Sequence, residues 1–217
     1  MRIRARGAAQ RRTAGVGVTL AGALAALLSM AATADAGAAA DPHAAHRAAV
    51  SAAGPLRSIA HYRIPDVELT RDDGQVVGLD RELDDGRPVV LAFIYTSCAS
   101  ICPLTSQTLE GIQRRLGPER DRVHLVSVSI DPDADTPARL REYAQNFHAG
   151  PEWQHYTGTR AASEAVQRAF SVYRGDKMSH PAAIFVRAAA GAAWIRMDGF
   201  PTADQVFAEL PQAHAAR

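Results

Sequence analysis

Val89-Val90-Leu91-Ala92-Phe93-Ile94-Tyr95 is an unbroken apolar run, and it constrains the fold more than any other stretch of the chain. A strand with one wet face alternates apolar and polar residues. A strand that is apolar throughout needs cover on both faces, as an inner strand of a sheet flanked by helices. After Thr96-Ser97 come Cys98, Cys102 and Pro103. Proline is most welcome in the first turn of a helix, and Thr105, Leu109, Ile112 and Leu116 then recur at helical spacing. Strand, turn, thiol, helix start and second thiol place both sulfurs at the end of a sheet beside a helix N-terminus. There the free backbone N–H groups and the helix dipole favour thiolate over thiol.

Cys98 and Cys102 are the only cysteines, and two uses are open to them. One is an inert disulfide, although a bridge over three intervening residues constrains the unfolded chain little. The other is site chemistry, because a thiolate is both the nucleophile of disulfide exchange and a soft ligand for Cu(I) or Zn.

The N-terminus indicates the compartment. Arg2, Arg4, Arg6, Arg11 and Arg12 form a basic segment, an apolar run follows from Ala14 to about Ala32, and Ala34-Asp35-Ala36 has the small-residue pattern of a cleavage site. Residues 1–36 are therefore read as a bacterial secretory signal peptide, with an uncleaved single-span anchor as the alternative. Either way the rest of the chain faces the oxidising, periplasmic side. Leaving out residues 1–36 removes five arginines and one aspartate from 24 Lys+Arg and 23 Asp+Glu, so the remainder is acidic by three charges. No Lys/Arg block remains to bind nucleic acid, and membrane contact is expected only through an uncleaved N-terminal segment. Residues 37–56 are Ala-rich and read as a flexible linker. His43 and His46 within it are taken as incidental, with metal ligation as the alternative. Residues 57–217 are long enough for one domain with a real core.

Along that domain strand and helix signals alternate. Tyr62–Leu69 reads as a strand, Asp72-Asp73-Gly74 as a turn and Gln75–Leu79 as the returning strand of a hairpin. Val123–Ile130 is a strand. Thr136-Pro137 opens a helix with Leu140, Tyr143, Ala144 and Phe147 on one face. Gln154–Thr157 is a short strand, and Thr159 caps a helix carrying Ala162, Val166, Ala169 and Phe170. Ala182–Val186 and Ala193–Met197 form a hairpin, and Thr202 with Gln205 makes a capping box for a last helix. This order is that of a thioredoxin-like α/β fold with an added N-terminal β-hairpin.

Three blocks carry a family resemblance. Tyr95-Thr96-Ser97-Cys98-Ala99-Ser100-Ile101-Cys102-Pro103 resembles the C-x-x-x-C-P signature of the Sco/SenC family, thioredoxin-fold copper proteins that serve cytochrome c oxidase assembly. Val128-Ser129-Ile130-Asp131-Pro132-Asp133-Ala134-Asp135-Thr136-Pro137 resembles the family's second block, and His180 falls where the family places its histidine copper ligand. The resemblance spans about residues 57 to 211. It implies copper, as Cu(I), Cu(II) or both, held by Cys98, Cys102 and His180, with Cys98 and Cys102 also a redox-active pair able to form a disulfide. It implies as partner the copper-bearing subunit of the oxidase, and the oxidising compartment adds the expectation of a thiol reductant protein that keeps the pair open. The chain departs from the family pattern at Ala99, where proline is common, at Ser179, where aspartate is usual, and at Pro181. Ala99 leaves the loop less rigid, and Ser179 removes a negative charge near the site.

The donor chemistry is consistent with that set: two soft thiolates and one imidazole satisfy three-coordinate Cu(I), and cysteines four apart are expected on one helical face. His61, His124, His148, His155 and His214 are read as structural or surface residues. Asp131, Asp133 and Asp135 are read as capping and loop–site contacts, not as a Ca²⁺ loop. Met178, two residues before His180, is read as core filling, with thioether ligation as the alternative. Three functions follow. The first is a metallochaperone delivering copper to the oxidase copper centre, with associated thiol–disulfide activity. The second is a periplasmic thiol–disulfide oxidoreductase that reduces target cysteines without a copper-delivery role. The third is a peroxide-reducing enzyme, which needs a Thr or Arg partner beside a single attacking cysteine, a pattern the chain lacks. The first is favoured, since exchange needs no third ligand.

Overall fold

The computed structural model describes residues 54–211. The signal segment, most of the linker, His43, His46 and His214 lie outside the described residues.

The apolar run forms β4 (Val89–Ile94), with every residue buried. It sits inside an eight-stranded sheet. In chain order the other strands are β1 (Leu56–Ala60), β2 (Glu68–Arg71), β3 (Val76–Gly78), β5 (His124–Ser129), β6 (Trp153–Thr157), β7 (Ala183–Arg187) and β8 (Trp194–Asp198). Across the sheet the order is β1-β8-β7-β4-β5-β6-β2-β3. β4, β5 and β6 are parallel, and the remaining pairings are antiparallel. The helices are α1 (Leu79–Leu83), α2 (Ile101–Leu116), α3 (Pro137–Asn146), α4 (Arg160–Ala169) and α5 (Ala203–Phe207). This is the thioredoxin-like α/β arrangement with the β2–β3 hairpin added.

Two apolar clusters cover the two faces of β4, which its alternation assigns. Leu91 and Phe93 join Val126, Val128, Tyr156, Phe170 and Phe185 on one side. Val90 and Ala92 join Leu109, Ile112, Trp153, Ile184 and Val206 on the other. Each fully buried aliphatic or aromatic side chain of this kind stabilises the fold by roughly 1.5–3 kcal/mol relative to exposure. The parallel strands β4 and β5 end side by side, Ile130 N–H bonding to Ile94 C=O at 2.9 Å. Loops at the carboxyl ends of parallel strands are where such sheets build sites.

Three elements differ from the sequence expectation. The strand expected over Tyr62–Leu69 begins only at Glu68. Pro65 lies in the middle of that stretch and has no N–H to give a ladder. Tyr62 packs instead on Phe170 and Phe185, with ring centroids at 4.9 and 5.6 Å. The return strand is shortened to Val76–Gly78, and Leu79 starts the unforeseen α1, burying Leu79 and Leu83. β1, to which the sequence assigned no strand, pairs with β8 along the edge. Gly74 closes the hairpin turn at φ +89°, a conformation glycine accepts without strain. The caps at Thr136 and Thr159 and the Thr202–Gln205 capping box all form.

Candidate metal centre

Cys98 lies in the turn between β4 and α2, with its N–H bonded to Tyr95 C=O at 3.1 Å. Cys102 lies in the first turn of α2. The two are therefore not on one helical face. Cys98 sits ahead of the helix, where its Sγ accepts the N–H of Cys102 at 3.4 Å. No side chain caps α2 at Ser100, so this sulfur does the work of a cap. Both cysteines are buried free thiols.

The position splits their acidities. Burial pushes the Cys98 thiol up, but hydrogen bonds from the Cys102 thiol, from the backbone of Cys102 and Ser100 and from Tyr95 outweigh it and bring Cys98 down to about 6. Burial raises Cys102, and the hydrogen bond it makes to Cys98 raises it further. At neutral pH the pair is a Cys98 thiolate served by a Cys102 thiol. Tyr95, raised to about 12 by burial and by its contact with Cys98, remains a donor.

Asp135 locks the loop ahead of the cysteines. It is wholly buried, and its carboxylate accepts from the Thr96 N–H at 3.2 Å, Thr96 Oγ1 at 2.6 Å and Ser129 Oγ at 2.6 Å. The end of β5 and the cysteine loop are thereby tied to one charged acceptor, the stronger class of hydrogen bond. Of the three aspartates, Asp131 pairs with Lys177 at 2.5 Å and Asp133 pairs with Arg160. The role of Asp135 shows only in three dimensions, since Thr96 and Ser129 are distant from it in sequence or on another element.

His180 follows a 3₁₀ turn at Lys177–Ser179 and stands just before β7. Its ring packs on Phe93, centroids 6.1 Å apart. Phe93 belongs to the same apolar cluster as Cys98 and Cys102. Burial, aided by Arg174 and opposed by the Phe93 backbone, lowers His180 to about 4, so the imidazole is neutral. Its Nδ1 has no hydrogen-bond partner. The ring lines a cavity of about 280 Å³ with Asp131, Gln167, Tyr173, Arg174 and Lys177, and neither cysteine is among its walls. Among the described residues no group of three or more His, Cys, Asp or Glu side chains has metal-holding geometry. The structure thus joins Cys98 to Cys102 and sets His180 against Phe93, a member of the apolar cluster that holds both cysteines. As donors they fit a soft metal ion: one thiolate, one thiol, and a neutral imidazole with an unused lone pair.

Two further histidines, His124 and His155, are structural. His155 is fully buried against Trp153, with ring centroids 5.2 Å apart. His124 is held by Glu82 C=O at 3.1 Å and Gln154 at 3.0 Å. Met178 departs from expectation. It is 74% exposed and fills no core, because the turn that carries it lies on the surface.

A family model described as SCO1/SenC matches residues 61–214. The SCO1 protein homolog of Bacillus subtilis is 30% identical over 104 residues, covering 48% of this chain and 53% of that protein. A protein of Stutzerimonas stutzeri named for copper binding is 32% identical over 106 residues, 48% of each chain. The chain spans about half the length of the curated relatives it matches. Among solved structures, Bradyrhizobium japonicum ScoI with copper bound is similar at a TM-score of 0.56 and 25% identity, over 70% of this chain and 96% of that one. BsSco, reported with a disulfide switch and as a member of the Sco family of cytochrome c oxidase assembly proteins, shares the fold. Its TM-score is 0.59 at 22% identity, over 70% of this chain and 94% of that one.

Proposed function

The chain belongs to the SCO1/SenC family, and from that premise we propose that it is a copper-binding metallochaperone that delivers copper to the copper centre of cytochrome c oxidase during assembly, with associated thiol–disulfide activity. The observation that carries the reading is the Cys98 sulfur held at the start of α2 as acceptor of the Cys102 N–H, a position that favours thiolate. A deprotonated sulfur at neutral pH is what a soft metal ion requires. The copper-bound relative and the family's link to oxidase assembly support the cargo and the partner.

In this reading Cys98, Cys102 and His180 hold the cargo. Cys98 arrives ionised, Cys102 gives up its proton on ligation, and His180 offers Nδ1, the ring atom without a partner. Asp135 keeps the loop in register throughout, through Thr96. Oxidation of the pair to a disulfide removes two electrons, the one proton left on Cys102 and both sulfur ligands, so copper loading and disulfide formation compete. On the periplasmic side, where the leader directs the chain, a thiol reductant protein is then needed to reopen the bond. The test is Cu(I) titration of the reduced chain, expected to saturate at one ion per chain. Stoichiometric binding that survives in the Cys98→Ser, Cys102→Ser double variant overturns the reading.

The runner-up is a thiol–disulfide oxidoreductase without copper delivery. It is favoured by the unequal thiols, one nucleophilic and one protonated, and by the lack of a three-donor cluster among the described residues. His180→Ala separates the two. A metallochaperone loses copper affinity and keeps its disulfide potential, whereas an oxidoreductase loses nothing.

A further inference from the structure

The ring of His180 is buried, but the turn that leads into it is not. Residues 174–179 are all exposed, and the 3₁₀ turn Lys177–Ser179 is only three residues long. Its own bonds shape it without fastening it to the domain: Met178 N–H to Asp176 Oδ1 at 2.9 Å, Ser179 N–H to Asp176 C=O at 3.1 Å, and His180 N–H to Lys177 C=O at 3.2 Å. The fastening comes from side chains, chiefly from Lys177. Its Nζ meets Asp131 Oδ2 at 2.5 Å and stands 5.4 Å from the centre of the Tyr95 ring, within the range of a cation–π contact. Met178 adds one weak contact, its Sδ accepting from Tyr95 Oη at 3.5 Å.

Both places where Lys177 lands lead to the cysteine loop. Tyr95 C=O accepts the Cys98 N–H at 3.1 Å. Asp131 N–H bonds to Ser129 Oγ at 3.0 Å, and Ser129 Oγ donates to the Asp135 carboxylate that also holds Thr96. One ammonium therefore ties the turn before His180 to the two segments that fix the loop of Cys98. We propose that Lys177 is a positioning residue of the copper site, one that fixes His180 relative to the cysteine loop through Asp131 and Tyr95 and does not itself touch the metal. The inference deepens the copper reading above and rests on it. The sign of the effect separates position from charge. Removing the ammonium and freeing the Asp131 carboxylate would, by charge alone, favour a bound Cu(I) cation. Loss of position acts the other way, because a loosened imidazole must be ordered each time the metal binds.

The experiment uses the full chain, reduced and anaerobic, with Cu(I) as the probe and a chromophoric chelator as competitor. Lys177→Met keeps an unbranched stem on an exposed turn and removes only the ammonium. It is expected to bind Cu(I) roughly two- to fivefold more weakly than the parent, the scale of one partly exposed ion pair. Lys177→Arg keeps charge and reach and is expected to stay near the parent. In a His180→Ala background Lys177→Met is expected to have no further effect, since no imidazole is left to position. A second readout needs no metal. The His180 imidazole resonance, assigned by its absence in His180→Ala, is expected to shift in Lys177→Met as the ring leaves its place against Phe93, and to return in Lys177→Arg. Equal or tighter Cu(I) binding by Lys177→Met, a loss that persists in full in the His180→Ala background, or an unmoved His180 resonance each overturns the inference. If the Cys98→Ser, Cys102→Ser variant keeps copper, the copper reading itself has failed, and the metal-free resonance still decides whether Lys177 places His180.

Discussion

Cys98 and Cys102 bear the same side chain four residues apart, yet they titrate on opposite sides of an ordinary thiol. Cys98 collects hydrogen bonds from the helix start, and Cys102 spends its own on Cys98. Only thiolate reacts with an alkylating agent, so modification of the metal-free, reduced chain should report this difference directly. Iodoacetamide is expected to label Cys98 first, with a rate that rises through a midpoint near pH 6, while Cys102 stays unlabelled until the chain unfolds. Peptide mass spectrometry across the pH range is the check, and a Cys98 midpoint at about 8.5, the value of a free cysteine, contradicts the assignment. The sequence located both sulfurs at a helix start from the strand, the spacing and Pro103. It did not tell which would be the thiolate, because that depends on whether the residue ahead of the helix turns its sulfur back onto Cys102 N–H. Nor did it reveal that the Tyr95 hydroxyl donates to Met178 Sδ, since only the packing of two loops creates that contact.

At the scale of elements, period and caps were strong signals and edges weak ones. β4 was legible because six consecutive buried positions leave no alternative to an inner strand. β1 was not, because Leu56 and Ile59 are 76% and 64% exposed and pairing to β8 alone defines the strand. The α2–α5 contact was likewise hidden. A Cβ added at Gly111 of α2 would stand 2.7 Å from Ala203 Cβ of α5, so the glycine is the reason the two helices approach so closely. Gly→Ala in a helix interior ordinarily stabilises by about 1 kcal/mol. Here the clash is with a rigid neighbour, and Gly111→Ala is expected to lose about 1–2 kcal/mol instead, the cost of overpacking. Urea denaturation measures it, and adding Ala203→Gly should return much of the loss. A Gly111→Ala protein more stable than the parent would show that α5 can move aside freely.

At the scale of the whole molecule, three histidines from three parts of the chain are buried by one sheet. His155 is lowered to about 3 and His180 to about 4, both chiefly by burial, and His124 is lowered for the same leading reason. In the unfolded chain each titrates near 6.5. Below that pH the unfolded state takes up protons that the folded state refuses. Stability is therefore full above about pH 6.5 and falls as pH drops toward the folded values. A fully buried histidine is expected to cost up to about 2 kcal/mol between pH 6.5 and 5. Urea unfolding at pH 7 and pH 5 should show the loss, and His155→Phe should reduce the difference by about that amount. An unaltered pH dependence in His155→Phe would mean that His155 accepts a proton inside the fold.

The division of labour between sequence and tertiary structure follows from distance along the chain. Local rules operate within about one turn or one strand, so the order of strands and helices, the caps at Thr136, Thr159 and Thr202, and the pairing of thiol with helix start could be read in advance. The family blocks extended that reading to His180. What only the assembled sheet decided is how far separate segments meet: Asp135 on Thr96 and Ser129, His180 against Phe93 and not among the thiols, and Met178 drawn to Tyr95 at the surface. Those contacts join residues brought together by the order β7-β4-β5. A one-dimensional pattern carries no term for which strands become neighbours, because that choice minimises exposed apolar area over the whole domain, not over any one segment.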